Sequence, residues 1–198
     1  MPRRLLEGPI LLAWTALGLA TGVALVWLAH GAGEDGVRRV ARLTATSSLL
    51  LFVAAFAASG AHRLARRPLT AWALRNRRWV GLSMALSHAV HLAAIAQLAA
   101  RWPAAGAAIP LAVRVAGSLG VVALAALVAT SNDRAVARLG RARWRRLQRG
   151  ACWVLWGVFA LSYVPGATTH PGHALAVGLL AGVALLRATA RGALAPIP

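Results

Sequence analysis

Two histidines, His88 and His91, stand three residues apart in the apolar run "RRWVGLSMALSHAVH" of residues 77–91. On a helix that spacing puts both imidazoles on one face, about 4.5 Å apart along the axis. A neutral imidazole offers a ring nitrogen to a metal, and haem iron is the usual metal in such a place. The same pair can instead act as hydrogen-bond glue between helices. Polar groups deep in an apolar run are expensive and point by default to the bundle interior. The sequence leaves both alternatives open.

Arg114, in "PLAVRVAGS", is the other charge inside an apolar stretch, about one to two turns below its outer end. It can snorkel outward. It can also pair, through its planar fork, with an anionic group near His91, such as a haem propionate or a quinone oxygen. His30, His170 and His173 fall at the outer ends of apolar runs, the last two in "THPGH". They suit either a weak outer metal site or ordinary interfacial positions. His62 reads as interfacial on the other side. Cys152 is the sole cysteine, which excludes an intrachain disulfide and a CxxC motif; it reads as a small buried residue. No Gly-rich phosphate loop follows a strand. There is no Ser-His-Asp set. With only Glu7, Glu34, Asp35 and Asp133 as acids, paired-carboxylate hydrolysis and a carboxylate ion pathway have no candidates.

The elements that must carry these residues are apolar helices. The 198-residue chain is 59% hydrophobic, and its net charge of +18 comes from 22 basic residues, all arginine. That composition argues against a nucleic-acid binder and for a membrane protein with arginine-rich connections. A membrane helix needs about 20 mainly apolar residues. Six stretches qualify, near 9–30, 43–62, 79–100, 107–130, 150–165 and 172–190. The fifth is the shortest and can extend back into the basic segment before it. The first is too long for a signal-peptide core. The expectation is an all-α, six-helix transmembrane bundle forming one domain over 1–198, with no internal repeat.

Arginines fall unevenly about these spans. Seventeen lie at the N-terminus (Arg3, Arg4), in the 2–3 and 4–5 connections and at the C-terminus, against four on the other side, with Arg114 left out. The positive-inside rule then predicts that both termini are cytoplasmic. Within "SNDRAVARLGRARWRRLQRG", Ser131 and Asp133 suit a helix N-cap. Trp144, Arg145 and Arg146 suit a membrane surface with anionic headgroups, or a docked cytoplasmic partner. Counting from Trp79, His91 lies about 18 Å into the membrane, past the midplane.

Two stretches carry a family resemblance: "LRNRRWVGLSMALSHAVHL" at 74–92, and "ATSNDRAVARLGRARWRRLQRGACWVLWGVFALSYVP" at 129–165. Together they resemble the six-helix ferric reductase-like transmembrane family, which includes the membrane domains of ferric reductases and NADPH oxidases. It also includes the haem subunit of a periplasmic methionine sulfoxide reductase. Arg77, Arg78, Gly81, Leu82 and His91 match one motif; Thr130, Ser131, Asp133 and Trp144 match the other. The resemblance implies a b-type haem held by helices 3 and 5, in the bacterial inner membrane. It also implies electrons supplied by a flavoprotein or quinone and passed to a periplasmic redox partner. In the haem-binding members helix 5 opens with Leu-His-Arg and carries a further histidine. Here those positions are Gln148 and Leu161. Tyr163, at the expected depth of His91, can hydrogen-bond His91 or ligate iron weakly.

Two functions from different classes follow. One is a haem electron-transfer subunit with His91 as principal ligand, and His88 as second donor or hydrogen-bond partner. The other is a haemless relative acting as a membrane binding or assembly partner. A transporter would predict broken helices or inverted repeats, and the sequence has neither.

Overall fold

The computed structural model describes residues 6–192, the last two by backbone alone. Arg3 and Arg4 lie outside the described residues. Those described form helices and no strand: α1 (Pro9–His30), α2 (Glu34–Leu64), α3 (Pro68–Arg101), α4 (Pro103–Ala107), α5 (Leu111–Ala129), α6 (Asp133–Leu139), α7 (Arg141–Tyr163) and α8 (Pro171–Gly192).

Proline opens α1, α3, α4 and α8, where its missing N–H would have no helical partner anyway. α1 stops at Gly31, whose φ of 71° suits glycine. Glu34 and Asp35 occupy the first turn of α2, complementing its dipole. They also pair one turn on with Arg38 and Arg39, both at 2.7 Å. Gly140, φ 74°, separates α6 from α7.

Five helices, α1, α2, α3, α5 and α8, are long and apolar enough to cross a membrane. α7 is long enough too, but its first half is basic. Residues 150–163 supply only about 21 Å of apolar helix, against a hydrocarbon core of about 30 Å.

The structure moves several expected boundaries. The 2–3 connection is only residues 65–67, so Arg75, Arg77 and Arg78 ride on α3 rather than in a loop. At 34 residues, α3 runs about 51 Å and its basic first turns extend beyond the bilayer core. Arg38, Arg39 and Arg42 likewise lie on α2. The fourth expected span begins later, at Leu111, because Pro110 and the short α4 precede it. Asn132, not Ser131 or Asp133, caps α6; its side chain accepts from Ala135 N at 2.8 Å. Ser131 instead back-bonds to Leu127 O at 2.6 Å.

The chain divides into two compact units, one containing α1–α4 and the other containing α5–α7 with α8 through Ala188. In the first, α2 and α3 form the main interface, with Val37, Val40 and Ala41 against Ala94 and Leu98. α1 lies more loosely and buries only Leu19. In the second, α5 presents Ala116, Gly120 and Ala123, small residues that let another helix approach closely. Gly120 faces Val158 of α7. Trp156 of α7 donates to Leu180 O of α8 at 3.0 Å.

Candidate membrane-embedded imidazole site

His88 and His91 project from one side of α3, both half-buried. Their rings stack at 5.3 Å between centroids and 30° between planes. His91 Nδ1 lies 2.9 Å from Ala41 O on α2. A carbonyl oxygen only accepts, so Nδ1 carries the proton and donates. The lone pair then sits on Nε2, the atom left to act as a ligand.

His91 belongs to a longer polar seam. Ser83, Ser87 and His91 recur every four residues along α3 and so share a face. Ser83 accepts from Thr15 of α1 at 3.0 Å. Ser87 is fully buried. It donates to Thr44 O at 3.1 Å, accepts from Ser48 Oγ at 3.0 Å, and lies 2.7 Å from Ser47 Oγ. A hydroxyl has one proton and two lone pairs, so three such neighbours leave Ser87 no lack of partners. Nearer the start of α3, Asn76 accepts from Gly8 N at 2.9 Å. Sequence reasoning missed this hydroxyl lattice. Its signal was the four-residue recurrence at 83, 87 and 91, matched on α2 by Thr44 and Ser48.

A haem can be tested against these donors. Two axial ligands must approach iron from opposite faces of the porphyrin. Side-by-side rings on one helix cannot do that, so His88 and His91 do not form an axial pair. The two α7 positions where the haem-binding members carry histidine offer no imidazole. Gln148 donates to Thr130 Oγ1 at 3.0 Å, and Leu161 is 54% exposed. Bis-histidine ligation therefore does not fit. His91 does keep one feature of ligating histidines, a carbonyl bond that orients its ring.

Other expected residues fall elsewhere. Arg114 sits in the first turn of α5, exposed and without an ion pair among the described residues. That is nearer the helix end than expected, and it suits snorkelling. Tyr163 packs edge-on against His173 at 5.1 Å, and His170 lies 5.3 Å from His173. His173 also abuts the backbone of Gly166. No group of three or more metal-binding side chains occurs among the described residues. His62 Nδ1 lies 3.2 Å from Thr70 Oγ1 at the α2–α3 turn, and His30 is exposed at the end of α1.

Of the second stretch's motif residues, Thr130 and Trp144 meet, whereas Ser131 turns back to Leu127 O. Trp144 Nε1 donates to Thr130 O at 2.9 Å, beside the Gln148 contact. A cavity of about 370 Å³ lies between α1 and α3, lined by Leu19, Val23, Trp27, Leu86 and Val90 among others; neither histidine lines it. Comparison with known proteins finds no matching family model, no matching characterised protein and no matching solved structure.

Proposed function

We propose that the chain is a multi-pass protein of the bacterial inner membrane, of the ferric reductase-like kind, and that His91 offers one axial ligand to a b-type haem in an electron-transfer subunit. The observation carrying this reading is the His91 Nδ1 to Ala41 carbonyl bond, which presents Nε2 for ligation. A haem bound there supplies a one-electron Fe(III)/Fe(II) couple. His88 stacks on His91 and limits its rotation, and the hydroxyl lattice fixes α3 against α2. A separate flavoprotein or quinol supplies electrons, and a periplasmic redox partner accepts them. In this reading α7 is the sixth crossing, with both termini cytoplasmic, and its short apolar part is extended by snorkelling arginines.

A second reading is a haemless relative serving as a membrane binding or assembly partner. It is favoured by the engagement of Gln148 with Thr130 and by Leu161 at the other helix-5 position.

The reduced-minus-oxidised spectrum of the detergent-purified protein separates them. A haem signal with the character of a single histidine ligand, lost in His91→Ala but kept in His88→Ala, is the expected result. A folded, colourless protein supports the haemless reading. Tags at the two chain ends test the crossings independently: both should be protected from outside in intact cells, whereas tags on opposite faces would remove α7 as a crossing.

A further inference from the structure

Seven arginines lie between residues 134 and 149, and Asp133 is the one acid beside them. All seven are exposed. None makes an ion pair among the described residues; the recorded ion pairs involve Arg38, Arg39 and Arg75. Among the described residues, the one hydrogen bond made by their guanidinium groups is internal, Arg149 Nε donating to Arg145 O at 3.3 Å. So much unneutralised like charge on adjacent turns is self-repelling, and it calls for an external anion.

Geometry limits what that anion is. Trp144 and Gln148 bond to the end of α5 at Thr130 and fix the rotation of α7. At 100° per residue, Arg143, Arg146 and Arg149 then spread over the opposite arc, with Arg145 along its edge. From Arg143 to Arg149 the helix rises about 9 Å, ending where the apolar run begins at Gly150. A headgroup layer on one side of a bilayer occupies about 5–8 Å. The charges thus form a band of headgroup thickness at the foot of an apolar helix, the position phosphates occupy. Arginine also suits that partner, because its fork grips phosphate through two bonds.

We propose that the outward face of α7, formed by Arg143, Arg145, Arg146 and Arg149, binds the phosphates of anionic phospholipids, and that these lipids stabilise the α5–α7 unit. The surface rests on α7 standing in the membrane as described under Proposed function. The lipid titration below is done in detergent, so it can fail while the tag experiment succeeds, or the reverse.

The test uses the full chain in nonionic detergent, with thermal unfolding followed as phosphatidylglycerol or phosphatidylcholine is added. Phosphatidylglycerol should raise Tm by about 3–6 °C, the scale of a modest binding effect in a chain of this size. Phosphatidylcholine should leave it unchanged. The rise should shrink in high salt and disappear in R143Q/R145Q/R146Q/R149Q. Equal stabilisation by both lipids, or a glutamine variant that still responds to phosphatidylglycerol, would overturn the proposal. Should that variant fail to fold, native mass spectrometry of the unaltered protein decides. Retained lipid enriched in anionic species supports the proposal, and retained lipid matching the host membrane overturns it. In nanodiscs of phosphatidylglycerol, a soluble polyglutamate or DNA duplex should not bind; binding as strong as in detergent would show an uncovered face and sink the idea.

Discussion

The α2–α3 pair and the α5–α7 pair solve one problem in different ways. Lipid tails are as apolar as leucine, so helices in a bilayer gain little hydrophobic drive to associate. They need polar bonds or close backbone approach. Between α2 and α3 the chain buries Thr44, Ser48 and Ser87 at mid-helix. Between α5 and α7 the middle is Gly120 against Val158, and polar bonds join the helices at the Thr130 end. The histidines therefore sit in the pair that already joins through hydrogen bonds. One bond, His91 to Ala41 O, thus both joins the helices and sets which ring nitrogen of His91 carries the proton.

Breaking the polar pair should have the largest effect. Ser87→Leu removes the hydrogen-bonded hydroxyl and forces a larger side chain into a fully buried position. Overpacking of that kind costs about 1–3 kcal/mol, and the orphaned Ser48 and Thr44 groups add roughly 1 kcal/mol more. Ser87→Ala should cost only about 0.6–1.7 kcal/mol, the range for membrane hydrogen bonds. Equilibrium unfolding in mixed micelles measures both. A Ser87→Leu protein as stable as the parent would show that α2 and α3 are not joined as described.

The close-packed pair should break more gently. A Cβ on Gly120 would stand 3.3 Å from Val158 Cγ2, a contact the valine relieves by moving a few tenths of an ångström. Gly120→Ala should cost about 1 kcal/mol or less, since helix propensity offsets part of the crowding. Combined with Ser87→Ala the effects should add, because the two sites share no partners. A non-additive double variant would argue against separate modes of association.

The helical architecture was legible because apolar length is a direct signal. α1 and α8 match their expected limits within two residues. The basic start of the third span was misjudged as a loop, whereas the fifth does extend back into its basic segment. Arginine is a good helix former, and a helix longer than the bilayer keeps its fold in the headgroup layer and beyond. That is why Arg75, Arg77 and Arg78 lie on α3. At the site, the His88 and His91 spacing was readable and their stacking follows from it. The Ala41 partner was not, because the rotation of α2 depends on the Thr44 and Ser48 contacts. Serine and threonine are ordinary in apolar helices, so only their recurrence in step with His91 marked them.

The smallest effect bears most directly on the imidazole face. Gly81 lies seven residues before His88, two helical turns away on the same side of α3. A Cβ there would meet nothing within 4 Å, so neither packing nor a positive φ requires glycine. Replacing a mid-helix glycine by alanine usually gains about 0.5–1 kcal/mol. Gly81→Ala should therefore leave the protein as stable or slightly more stable. The informative readout is the spectrum. If stability rises while bound haem falls, the open space beside Gly81 is where a ligand plane approaches the histidine face. If both are unchanged, that face meets lipid, and His91 acts alone through its bond to α2. A destabilised Gly81→Ala protein would show a neighbour against this face, contrary to the packing of α3.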